Sequence, residues 1–179
     1  MEYRSLPDRD AVKSARAALE TNPRNITHIL DLGVAQSGAR QFREAIATFT
    51  RGLEIEPDNA LLLRWRGHRY LSVREFDRAF ADLTRGGAID RTIYGIWYHL
   101  GVVQYLRGDF AEAAASFAKA QPTAPDAGEL AGPTDWLWMS LSRAGRGAEA
   151  ESMLNRMLGR RPDSKPLTNA YTRELRRLR

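Results

Sequence analysis

The 179-residue chain contains no cysteine. That excludes a disulfide framework, a thiolate nucleophile and any zinc site built on sulfur ligands. No apolar run in it approaches the roughly 18 residues of a membrane span, and Met1 to Asp10 is charged, without the apolar stretch of a secretory signal. A cytoplasmic protein is expected, or a periplasmic one if a leader has been removed. Lysine is scarce as well. Of the 27 basic residues only Lys13, Lys119 and Lys165 are lysines, and the arginines run from Arg4 to Arg179 instead of gathering on one stripe. The net charge of +5 therefore reads as a compositional bias more than as a nucleic-acid footprint. Its densest group, Arg173, Arg176, Arg177 and Arg179, stands at the end of an expected helix, where cations complement the dipole.

The motifs of catalysis are missing too. There is no phosphate-binding glycine loop, no Gly-x-Ser-x-Gly turn and no His-Glu-x-x-His helix. The histidines, His28, His68 and His99, are too far apart in sequence for helix-borne metal ligands at i, i+3 or i, i+4. Glu149 and Glu151 point to different faces of one helix, and Glu44 and Glu112 read as solvent-facing, so no general acid and base pair emerges. No cofactor, metal or catalytic residue is expected.

What is present is recurrence at 34 residues. Gly33, Gly67 and Gly101 keep that spacing, as do Ala45, Ala79 and Ala113, the aromatics Phe42, Phe76 and Phe110, and the apolar set Phe49, Leu83 and Phe117. Numbered from Ile26, the glycine takes place 8, the aromatic place 17, the alanine place 20 and the second large apolar residue place 24; small Gly52, Gly86 and Ala120 take place 27. Two stretches of helical period, broken near places 14 to 16, make each unit a helix hairpin. Small residues at places 8 and 20 let its helices approach, and places 24 and 27 are expected to face the neighbouring unit. A hairpin that is apolar on both flanks cannot bury them alone, so the units stack.

These residues resemble the tetratricopeptide repeat family, whose pattern runs Trp, Leu-Gly, Tyr, then Ala, Phe and Pro. The match lies in Leu32-Gly33, Ala45, Phe49 and Pro57; in Gly67, Tyr70 and Ala79; and in Trp97, Leu100-Gly101, Ala113 and Phe117. The resemblance implies an all-α fold, an α-solenoid in the form of a right-handed superhelix of stacked antiparallel helix hairpins. The expected division is one domain over 1–179: a half repeat at 1–25, repeats at 26–59, 60–93, 94–127 and 131–164, and a capping helix at 165–179. Gly128 to Leu130 are set apart as an insertion, and the fourth unit departs from the pattern in carrying Trp138 at place 8. The leader obeys the period, since Ala11 and Pro23 precede Ala45 and Pro57 by 34, which makes Asp8 to Glu20 a second helix without its first, with Ser5 and Asp8 as its start signal.

Three local features have plain structural readings. Arg107-Gly108-Asp109 spells an adhesion tripeptide but falls at a hairpin turn, and Asn25-Ile26-Thr27 has the glycan-acceptor form but places Asn25 at a helix cap. Arg51, Arg85, Lys119 and Arg156 share place 26, in the last turn of each second helix, where a cation offsets the dipole by about 0.3–1 kcal/mol.

In the family it resembles, first helices line the concave face and places 2, 5, 6, 9, 12 and 13 usually touch ligand. Carried onto this chain, that face gives Leu30, Asp31 and Val34; Arg64, Trp65, His68 and Leu71; Tyr98, His99, Val102 and Tyr105; and Asp135, Trp136 and Met139. Aromatics and arginine in a concavity suit a peptide or a partner helix, with Arg64 meeting an acidic group. The family's charged clamp for chaperone tails is absent, because Leu30, Val34 and Trp65 occupy its places. The expected function is a non-enzymatic scaffold that binds a protein or peptide in this groove. Two alternatives stand beside it: homo-oligomerisation through the terminal helices, and binding of a nucleic acid or acidic lipid through the scattered arginines.

Overall fold

The computed structural model describes residues 9–159, with side chains as far as Met153. Among these there is no strand. The helices are α1 (Asp10–Thr21), α2 (Ile26–Gly38), α3 (Phe42–Ile55), α4 (Ala60–Ser72), α5 (Phe76–Ile89), α6 (Tyr94–Arg107), α7 (Phe110–Ala120), α8 (Ala127–Arg143) and α9 (Gly147–Gly159), with one 3-10 turn at Gln121–Thr123. The expected start signal at Ser5 and Asp8 and the expected helix at 165–179 lie outside the described residues.

Helix starts follow the side-chain chemistry of caps. Asn25 accepts from the His28 backbone N–H, Asn59 from those of Leu61 and Leu62, and Asp126 from those of Gly128 and Glu129, each satisfying donors that have no partner within the helix. Asn25 is thus a cap in the structure. Gly128 to Leu130, set apart in the sequence as an insertion, lie in the first turn of α8 behind the Asp126 cap.

All four hairpin turns are built alike. A residue in the left-handed region follows each first helix: Arg40 (φ 59), Arg74 (φ 64), Gly108 (φ 87) and Gly145 (φ 76). The next backbone N–H returns to the carbonyl five residues earlier, from Gln41 to Gln36, Glu75 to Tyr70, Asp109 to Gln104 and Arg146 to Leu141, at 2.8–2.9 Å. This is the Schellman closure, which favours glycine because a Cβ strains the left-handed backbone. Two of the four sites carry arginine and bear that strain. Arg40→Gly and Arg74→Gly are each expected to raise stability by about 0.5–1 kcal/mol, read as a higher denaturation midpoint at unchanged slope.

Within each hairpin the place-8 glycine and the place-24 side chain interlock. A Cβ at Gly67 would come 2.7 Å from Leu83, one at Gly101 2.7 Å from Phe117, and one at Gly33 would overlap the Phe49 ring. The place-24 side chain fills the gap its own hairpin leaves and also reaches the neighbouring unit, as expected, where Phe49 lies 6.4 Å from the Trp65 ring and Phe117 5.8 Å from that of Trp136. Place 27 faces the neighbour too, since a Cβ at Gly52 would meet Leu62 at 2.8 Å and one at Gly86 would meet Ile96 at 3.1 Å.

Hairpins stack in sequence order, each second helix against the next first helix, and the core runs along the stack through Phe49 and Leu63, then Leu83 and Val103, then Phe117 and Leu141. The helix α1 packs on α2 through buried Val12 and Leu19. Its Ala11 is exposed, whereas Ala45, Ala79 and Ala113, at the same place in the hairpins, are fully buried. First helices also touch one another, α2 with α4, α4 with α6 and α6 with α8, and among the described residues no comparable contact links α3 with α5 or α5 with α7. Closer first helices make theirs the inner side of the curve.

Charge ties the layers together. Arg51 and Arg85, at place 26, reach back to the loop before their own hairpin: Arg51 donates to the Pro23 carbonyl and Arg85 pairs with Asp58 at 2.7 Å. Lys119 lies 4.4 Å above the ring of buried Trp97. Arg51 and Arg85 thus stitch units and, against expectation, stand before the last turns of α3 and α5, whereas Lys119 is in the last turn of α7 and its ring contact lies within its own hairpin; the Arg156 side chain lies outside the described residues. Arg107 pairs with Asp77 at 2.9 Å, which binds the Arg-Gly-Asp turn to α5.

Candidate interaction surface

The inner side of α2, α4, α6 and α8 carries the residues expected to meet a ligand, and they fall into three groups. Asp31 and Val34 on α2 are open, Val34 at 38% exposure, while Leu30 packs half-buried on the first core cluster. In the centre His68 of α4 meets His99 of α6 and Arg64, over the Trp65 ring, meets Gly95, while Tyr98 stands edge to face against His99. Beyond them, Tyr105 of α6 and Trp136 of α8 meet edge to face at 5.0 Å, with Trp136 stacked on Phe117 at 5.8 Å. Val102 and Trp136 pack on the third cluster and Leu71 on the second; Met139 is half-buried. Asp135 is different in kind. It is 5% exposed and belongs to the interior beneath the wall.

The central group is a stack. Trp65 lies against Phe49 at 6.4 Å and against His68 at 6.2 Å, and the His68 and His99 rings sit 3.7 Å apart, bridging α4 and α6. The His99 Nδ1–H donates to the Gly95 carbonyl at 2.5 Å. Both imidazoles are neutral: burial and the charge on Arg64 lower His99 to about 3, and burial, then His99 and the arginines, push His68 lower still. Sequence spacing hid this pair, because it examined ligands within one helix. Among the described residues no third His, Cys, Asp or Glu joins the pair.

Long side chains at place 5 rest on glycines at place 2 of the next first helix. A Cβ at Gly95 would overlap the Arg64 guanidinium, and one at Gly132 would come 3.2 Å from the Tyr98 ring. The histidines obey the same offset of three places. Residues 31 apart therefore face each other across the α4–α6 seam, one helical turn short of the repeat. That spacing is the signal which identifies Gly95 and the His68–His99 contact from sequence.

Tyr94 closes the wall toward α8. Pro133, inside α8, has no N–H to give the Glu129 carbonyl, and the Tyr94 hydroxyl donates to that carbonyl instead, at 2.9 Å. Burial, with Glu129 nearby, holds the Tyr94 phenol well above its usual range. Two further large apolar residues were left out of the sequence reading although they occupy places 2 and 13. Leu61 is 41% exposed and Leu106 53% exposed.

Helix hairpins stacked in order along one core, with first helices forming a single inner wall, define an all-α solenoid of the interaction-scaffold class. The family model for the tetratricopeptide repeat matches residues 66–128. Solved structures share its fold. A MamA protein crystal structure is 18% identical, with 89% of this chain and 86% of that one covered at a TM-score of 0.73. A structure of MamA AMB-1 is 23% identical, covering 82% and 92% at a TM-score of 0.64. No curated protein matches the sequence. Among the described residues no helix is long and apolar enough to cross a membrane.

Proposed function

We propose that this protein is a non-enzymatic scaffold that holds a peptide segment or a partner helix along the inner wall. The observation carrying this reading is the apolar surface that the hairpins leave open there: Val34 and Leu106 are exposed at 38% and 53%, and half-buried Tyr98, Val102, Tyr105 and Met139 accompany them. Large apolar side chains open on the concave side of a repeat protein are anchors for a partner, since each gains about 1.5–3 kcal/mol when fully covered.

Affinity capture with three baits tests it. Val34→Glu/Leu106→Glu places charges on the wall, and Ala81→Glu places one on the exposed outer side of α5. Proteins retained by the wild type and by Ala81→Glu should be depleted at least about tenfold from the double variant, with circular dichroism unchanged. Equal retention by all three baits rejects the groove. Recovery of the chain itself as the groove-dependent prey would favour self-association instead.

A further inference from the structure

We propose that Arg64 is the anion-receiving residue of this wall, taking a carboxylate from an acidic peptide segment, and that the fold carries its guanidinium at a cost in stability. The inference rests on the groove reading and names the chemistry of the occupant.

A guanidinium offers five N–H donors and accepts nothing, so when it leaves water it needs acceptors. Arg64 has left water: it is half-buried, and burial lowers its pKa to about 10. Yet among the described residues it forms no hydrogen bond and no ion pair, and its Nη1 is enclosed without a partner. Its neighbours along the chain differ. Arg66 is bound by Asp82 and Thr50, Arg85 by Asp58 and Arg107 by Asp77. The one specific contact of the Arg64 charge is the Trp65 face, 3.8 Å from its centre.

The side chain is nevertheless held in position. Gly95 provides a seat that any Cβ would fill, and the Trp65 plane fixes the guanidinium from the other side. A positioned, desolvated fork is the arrangement that receives a carboxylate with two parallel hydrogen bonds. The surrounding groups set the charge of the guest. His68 and His99 are neutral, Arg69 is buried against the Phe42 ring, and exposed Glu129 is close enough to be felt but forms no ion pair with Arg64. That balance suits a singly charged carboxylate better than a phosphate dianion. The site is separate from the family's charged clamp, whose places hold Leu30, Val34 and Trp65 here.

The test is selection of a phage-displayed random peptide library on the wild type and on Arg64→Met, followed by calorimetric titration of synthetic copies of the selected peptides. Wild-type selections should converge on an Asp or Glu at one position. Affinity should fall about 10- to 100-fold on Arg64→Met, and equally on changing that acid to its amide, the range of a charge-assisted hydrogen bond. Arg64→Met should melt at the same temperature as the wild type or higher, and Glu129→Gln should bind like the wild type. Selected peptides without an acid that bind Arg64→Met unchanged would overturn this inference while leaving the groove standing. Peptides indifferent to Val34→Glu/Leu106→Glu, or no enrichment at all, would overturn the groove reading together with it. Equal losses of melting temperature in Arg64→Met and Glu129→Gln would make Arg64 a structural partner of Glu129, and the inference would be wrong.

Discussion

Phe49→Ala is expected to lower the unfolding free energy by about 3–5 kcal/mol, and its partner Gly33 should then respond to substitution with the opposite sign. Phe49 is fully buried, and its ring occupies the space where Gly33 lacks a side chain. In the wild type, Gly33→Ala gains about 1 kcal/mol of helix propensity, but its Cβ overlaps a ring that packing holds in place, and overpacking costs about 1–3 kcal/mol. The net effect should be a loss. With Phe49 already alanine, the ring is gone and only the propensity gain remains, so Gly33→Ala should stabilise. Urea denaturation of the four proteins measures this cycle, and the two single effects must fail to add by about 1–3 kcal/mol. Simple additivity would mean that the glycine answers to something other than the ring. The same logic covers Gly101 with Phe117, whereas Gly67 faces Leu83, a more compliant side chain.

The glycine and aromatic columns that make this interlock were legible in the sequence, because helical period and the 34-residue recurrence fix them inside one hairpin. That the place-24 side chain fills its own hairpin's gap as well as meeting the next unit was not legible, since recurrence says which positions are equivalent but not how many neighbours they meet. Contacts across the seam were harder to see for a physical reason. Adjacent first helices are offset by one turn, so Arg64 meets Gly95 and His68 meets His99 at 31 residues, and no recurring column records such a pair. Asp135 shows the limit of carrying a binding face over by place number: in α8 the position faces inward, 5% exposed. The face itself is kept, since Gly132 and Trp136 stand where Gly95 and Trp65 do, but at place 5 the short Asp135 lies deeper than the long Arg64 and Tyr98. Arg64 stood out as a basic residue on the wall, but its lack of an acceptor is a property of three-dimensional neighbours.

The second hairpin breaks the polar pattern of its neighbours, and there the other large loss is expected. In the first and third hairpins a hydroxyl at place 23 meets a glutamine at place 11: Thr48 donates to Gln36 Oε1 at 2.7 Å, and Ser116 and Gln104 approach to 2.6 Å. In the second those places hold Asp82 and Tyr70, and the partner comes from place 7. Arg66 grips Asp82 with two bonds of 2.7 and 2.8 Å and donates a third, of 3.1 Å, to Thr50 of the preceding hairpin. Burial works against the Arg66 charge, but the hydrogen bonds and charge of Asp82 outweigh it and raise the pKa above its ordinary value. Asp82 is 7% exposed. Asp82→Ala therefore leaves a guanidinium enclosed without its anion, at an expected cost of about 3–5 kcal/mol, while Arg66→Met/Asp82→Leu, which removes both charges, should recover most of the loss. Because the third bond crosses to α3, hydrogen exchange should accelerate in α3 as well as in α4 and α5 of the single variant. If the double variant is no more stable than Asp82→Ala, or if faster exchange stays within α4 and α5, the arginine is not coupling the first two hairpins.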